Sequence, residues 1–167
     1  MEVITPETPI ASQKIQELYT HWRSLQTDDV APLWSGFDVL DVFSIMPNTM
    51  MVDLEEDPFR VKYRFVGTQV VRYTGFEFTG KYLDEIVLDD HSAPFHEAYK
   101  RAATEQRPIL EWCDWSLEDG IVTSYDFAIF PFIGPSGAAD IAVSIECYDR
   151  MQKDFNSIER TLRQPQD

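Results

Sequence analysis

The sequence predicts an α+β domain: a five-stranded antiparallel sheet with helices on one face, plus an N-terminal amphipathic helix. Three observations carry this reading. Apolar residues alternate with polar ones in Arg60–Gly67 and again in Ile141–Tyr148, the period of half-buried strands. They recur at three and four residues near the N-terminus and over 92–106, the period of helices. Between the last two strands' turn signals, residues 121–133 are apolar at both alternating positions, as in a strand covered on both faces.

Taken in order, the first helix is expected after Thr8, which can cap it, with Pro9 at its first position, where the missing N–H costs nothing. Ile15, Leu18, Tyr19, Trp22 and Leu25 form one apolar stripe. That stripe must lie against its own domain or a second copy, and a homodimer packed through Ile15, Leu18, Trp22 and Leu25 is the expected form. Residues 28–36 read as a connector, and Phe37–Met46 as a short helix stopped by Pro47-Asn48. Thr49–Leu54 and Arg60–Gly67 then form a hairpin around Glu55-Glu56-Asp57-Pro58, with Val61, Tyr63 and Phe65 on one face and Lys62 and Arg64 on the other.

The middle of the chain reads as short helical pieces. Gln69–Tyr73 is closed by Gly75, and Phe76–Thr79 by Gly80. Leu83–Leu88 is an apolar patch. Asp90 caps a helix over about Ser92–Gln106, with Phe95, Ala98, Tyr99 and Ala102 on one face and Arg107-Pro108 at its end. Three strands finish the domain: Ile109–Leu117, Ile121–Ile133 and Ile141–Tyr148, joined by Glu118-Asp119-Gly120 and Gly134-Pro135-Ser136-Gly137. The middle strand puts Tyr125, Phe127 and Ile129 on one face and Ala128, Phe130 and Phe132 on the other. The middle helices can cover one side and the N-terminal helix the other. The chain thus divides into an N-terminal helix (1–29), a domain (30–150) and a polar tail (151–167).

Composition narrows the function classes. At 167 residues the chain is one domain's length, and 44% hydrophobic with 13% aromatic residues supplies one core. Twenty-nine acidic residues against 14 basic ones give a net charge of −15, which repels nucleic-acid phosphates and anionic membranes alike. Cys113 and Cys147 are too few for a disulfide scaffold or a four-ligand zinc site, and read as buried small side chains. The acidic, polar start lacks a leader's pattern and no run suits a membrane span, so a cytoplasmic location is expected. No phosphate-binding glycine loop and no G-x-S-x-G elbow occurs. His21, His91 and His96 form no chelating pair, and Asp89-Asp90-His91 reads as a solvated helix cap.

The run Phe59-Arg60-Val61-Lys62-Tyr63-Arg64-Phe65-Val66-Gly67-Thr68 is followed by Gly75-Phe76-Glu77-Phe78-Thr79-Gly80-Lys81-Tyr82-Leu83. Together they resemble a bacterial family of stand-alone PAS domains, with F-R-Y-R-x-x-G-T and G-x-x-x-T-G-x-x-L patterns, over roughly residues 30–150. The resemblance implies a sensory or regulatory module with no catalytic residues, holding a small apolar ligand between sheet and helices, and passing its signal to an output protein or through dimerisation. The candidate lining is Tyr63, Phe65, Tyr73, Phe95, His96, Tyr99, Tyr125 and Phe127, with Trp112 beside them; no cofactor is implied by name. His96 stands on the helix that carries the iron ligand in haem-binding PAS domains, yet nothing else marks a porphyrin pocket, so it reads as a hydrogen-bonded surface histidine. The cysteines lie on strands, unlike the helical cysteine of flavin photoreceptors. Two alternatives stay open: a closed-core interaction module, and a small α+β barrel enzyme using Asp114 or Asp126 as a buried base.

Overall fold

The computed structural model describes residues 1–28, 30–86, 92–116 and 122–149. Its sheet is built from β1 (Glu2–Val3), β2 (Thr49–Glu55), β3 (Arg60–Val66), β4 (Ile109–Ser116), β5 (Val122–Phe132) and β6 (Ile141–Cys147). Among the described residues three helices accompany it, α1 (Gln13–Leu25), α2 (Thr68–Thr74) and α3 (Ser92–Glu105), with 3-10 segments at Trp34–Gly36, Val39–Asn48 and Leu83–Glu85. The strand order is β1-β4-β5-β6-β2-β3, and every neighbouring pair is antiparallel. The sheet therefore has six strands rather than five, because the chain's first residues add a short edge strand through Glu2↔Leu110 and Val3↔Ile109. A two-residue strand has no period to read.

Helices cover both faces, not one. On the inner face α2, α3 and the Leu83–Glu85 turn lie over Val52, Val61, Tyr63, Tyr125, Phe127 and Ile129. On the outer face α1 and the Val39–Asn48 segment lie over Met51, Ala128, Phe130, Phe132, Val143 and Ile145. The expected double-sided burial of β5 is present, and β6 is buried along its whole length as well.

The N-terminal helix begins later than Thr8 and Pro9 predict. The Thr8 hydroxyl instead accepts from the Thr5 amide at 2.9 Å in a turn, and Ser12 takes the cap, accepting from the Ile15 amide at 3.5 Å. Ile15, Leu18 and Trp22 are buried in the chain's own core, and Trp22 Nε1 donates to the Pro131 carbonyl at 2.8 Å. This corrects the expected dimer interface: those three side chains are spent within the domain, with Leu25 packed at the cluster's edge. Full burial of each contributes about 1.5–3 kcal/mol. Pro131 is tolerated inside a central strand because the β4–β5 ladder ends at Ile129, so no β4 partner awaits its missing N–H.

A second correction concerns β3. Its pairing with β2 runs Met51↔Phe65 and then Val52↔Tyr63, so Arg64 is the extra residue of a bulge. The bulge reverses the alternation. Val61 and Tyr63 face inward as predicted, while Phe65 turns to the outer cluster and Val66 takes the inner face. Arg64, left exposed, pairs with Asp53.

Gly75 closes α2 in the left-handed region (φ 83°), the conformation expected of it. Gly67 has an ordinary φ of −68°; a Cβ there would run into the carbonyl oxygens of Met46 and Pro47, so close approach rather than backbone freedom requires glycine. Pro47 lies within the 3-10 span rather than ending a helix before it. The expected Asp90 cap, the Leu88, Leu117 and Ile121 strand and patch ends, the Glu118-Asp119-Gly120 turn and the tail 151–167 fall outside the described residues.

Candidate functional site

β6 alternates Ala142, Ser144, Glu146 and Tyr148 toward the inner face, opposite Ile141, Val143, Ile145 and Cys147. Ser144 and Glu146 are thus carried into the core by the same pleat that buries their apolar neighbours. Ser144 is fully buried and its Oγ lies 2.7 Å from the Tyr99 hydroxyl on α3. The Tyr63 hydroxyl on β3 approaches that of Tyr99. Glu146 is 8% exposed and accepts a short hydrogen bond from the Tyr148 hydroxyl. Its backbone oxygen accepts from Asn48 Nδ2 at 2.9 Å, tying β6 to the 3-10 segment that covers the outer face.

The result is a polar cluster inside an aromatic box. Tyr148 stacks on Tyr73 of α2 (4.0 Å between centroids) and lies 5.4 Å from Tyr125, while Phe127 is met edge-on by Phe95 and Tyr99. Tyr125 pairs across strands with Cys113, whose thiol its hydroxyl reaches. Burial pushes the Glu146 carboxyl up to about 7, against a smaller downward pull from the Tyr148 hydrogen bond. Burial also pushes up Tyr63, Tyr99, Tyr125 and Tyr148, and the charge of Glu146 adds to each. All four phenols therefore stay protonated and neutral across the working pH range. Among the described ion pairs none involves Glu146. A carboxylate this deep, with no basic partner among the described residues, is costly.

A sequence profile of PAS domains matches residues 10–145. The chain belongs to the PAS domain family. Among solved structures it is similar to a light-oxygen-voltage domain studied with a flavin analogue, at 12% identity over 75% of this chain and 95% of that one, TM-score 0.49. It is also similar to the PAS domain of Bordetella pertussis BvgS, at 17% identity over 71% of this chain and 93% of that one, TM-score 0.49. A PAS domain from Colwellia psychrerythraea aligns at 11% identity over 65% and 95%, TM-score 0.43. No match is found among curated proteins.

Within this PAS domain, six of the eight predicted lining residues come together on the inner face: Tyr63, Phe95, Tyr99, Tyr125 and Phe127 in the core, Tyr73 at its rim. Phe65 does not, because of the β3 bulge. His96 is half-buried against Phe59, ring centroids 5.1 Å apart, and its Nε2 donates to the Phe59 carbonyl at 3.1 Å. That bond engages one ring nitrogen at the hairpin's end. Trp112 is 56% exposed on the outer side of β4, beside an open groove of about 180 Å3 that also includes Asp126. Asp126 is thus no inner-face base, and the side chain of Asp114 lies outside the described set. Cys147 faces the outer cluster, and burial lifts its thiol to about 11. Among the described residues no group of three or more His, Cys, Asp or Glu side chains is placed to hold a metal. No helix there is long and apolar enough to cross a membrane.

Sequence reasoning missed Ser144, Glu146 and Tyr148. A signal was present: β6 follows a strand apolar at both alternating positions, so polar residues on either face of β6 are placed beside core.

Proposed function

We propose that this PAS domain is a sensory or regulatory module that binds a small molecule on the inner face, between the sheet and α2–α3, and is not an enzyme. One observation supports the reading above others: a buried group of four phenols, Ser144 and Glu146 interrupts an otherwise apolar core. Apolar residues would pack there at lower cost, so polar ones favour recognition over mere stability. The signal leaves through a homodimer or a separate output protein, in a cytoplasmic setting. With the α1 stripe occupied, a second copy is expected to meet the exposed Leu40 and Phe43, which flank the kink at Val42.

Native mass spectrometry of the purified protein, with an absorption spectrum, tests this. The expected result is an added small-molecule mass that is released on unfolding. A bare mass from several expression hosts, with no inner-face NMR shifts against a metabolite library, would favour the closed-core interaction module. The enzyme alternative loses Asp126 as an inner-face base and gains Glu146, whose carboxyl near 7 suits proton transfer. Among the described residues its neighbours are phenols, with no basic side chain to complete an acid–base pair.

A further inference from the structure

We propose that the inner-face site takes a small primary ammonium ion, its charge held by Glu146 and its N–H groups by the surrounding hydroxyl oxygens. The inference rests on the sensor reading and names its ligand class. Three features of the site point the same way. Glu146 is a buried carboxylate whose described surroundings contribute no cation, so the missing counterion is the simplest complement. Ser144 Oγ and the hydroxyls of Tyr63, Tyr99, Tyr125 and Tyr148 offer neutral lone pairs that an –NH3+ group, a donor of three hydrogen bonds, can use. Aromatic rings on several sides suit both the alkyl part and the charge, since a cation is attracted to ring faces.

The wider molecule agrees. A net charge of −15 raises the local concentration of cations and lowers that of anions. An anionic ligand would meet Glu146 and be repelled. A neutral one would leave the carboxylate, among the described residues, with the hydrogen bond from Tyr148 alone. Tyr73, half-buried on the seven-residue α2, stacks on Tyr148, whose hydroxyl donates to Glu146. Entry displaces that stack and exchanges the Tyr148 hydrogen bond for the ammonium. Binding converts Glu146 to its charged form, so below neutral pH it releases a proton.

The test titrates isobutylammonium and 2-phenylethylammonium, with isobutanol and 2-phenylethanol as neutral counterparts, against the full chain and its Glu146→Gln variant. Inner-face NMR shifts and the melting temperature are read at pH 6 and pH 8. At least one ammonium is expected to bind the unmodified protein and its alcohol to bind far more weakly. With the carboxyl at about 7, affinity should rise about tenfold from pH 6 to pH 8. Glu146→Gln, which keeps size and hydrogen bonding, should lose that pH dependence and weaken ammonium binding about tenfold or more. Alcohols binding both proteins as well as the ammonium ions would overturn the ammonium class while leaving a small-molecule sensor. Binding of no ammonium at millimolar concentration overturns it too, and native mass spectrometry then judges the sensor reading alone.

Discussion

The outer face of the sheet packs Ile15, Leu18 and Trp22 of α1 onto Ala128, Phe130, Phe132, Val143 and Ile145, and the indole N–H of Trp22 is matched by a carbonyl. The inner face uses the same two strands, β5 and β6, yet inserts Ser144, Glu146 and four tyrosine hydroxyls beneath α2 and α3. One face is built for adhesion and the other gives up part of that stability. The difference teaches where to look for function: a face that could have been apolar throughout, and is not, carries a cost that packing alone does not explain.

The comparison breaks most sharply on the outer face. Trp22→Ala removes a fully buried indole and orphans the Pro131 carbonyl, and should cost about 3–5 kcal/mol in urea unfolding. A loss under about 1 kcal/mol would mean α1 is not the outer cover that the structure makes it.

On the inner face the sign reverses. Burial raises the Glu146 carboxyl from an ordinary 4.5 to about 7, so its charged form is penalised in the folded state. Stability should be greatest below about pH 4.5 from this group alone, and fall as pH rises through 7. Glu146→Gln should therefore stabilise the empty protein by about 3 kcal/mol at pH 8 and leave it nearly unchanged at pH 4.5. A destabilised variant at pH 8 would show that Glu146 is held charged by something other than its described neighbours.

Ser144→Ala sharpens the contrast at smaller scale. It takes one partner from the buried Tyr99 hydroxyl, which leaves about 1–2 kcal/mol to be lost in thermal unfolding. An unchanged midpoint would mean Tyr99 finds another acceptor, Tyr63 being nearest at hand. The smallest stability effect belongs to Leu40→Ser with Phe43→Ser, both more than 70% exposed: within about 0.5 kcal/mol per site. Its effect is on mass by light scattering, where a homodimer through this surface should become a monomer. A dimer that persists places the interface elsewhere.

Much of the fold was legible because its signals are local. The β2–β3 hairpin, the left-handed Gly75, the face of α3 carrying Phe95, Ala98, Tyr99 and Ala102, and the double burial of β5 all follow from period, turn chemistry and strand pattern. Of the site, Tyr63, Tyr73, Tyr99 and Tyr125 were found as aromatics at inward positions. Glu146 was not, because a carboxylate in a strand ordinarily marks the solvent face, and only a second covering layer reverses that rule. Phe65 failed for a different reason: a single bulged residue moves every later side chain to the other face, and nothing in Tyr63-Arg64-Phe65 announces it.

The sequence by itself determined the order of the elements after the first edge strand and the existence of two apolar faces on β5. Those depend on spacings of two to four residues, which the chain carries within itself. Only the tertiary structure decided that α1 covers its own sheet, that Phe65 leaves the inner face, and that Ser144 and Glu146 lie among tyrosines from β3, α3 and β5. Each of those turns on a partner tens of residues away, and burial of a polar side chain is a property of what covers it.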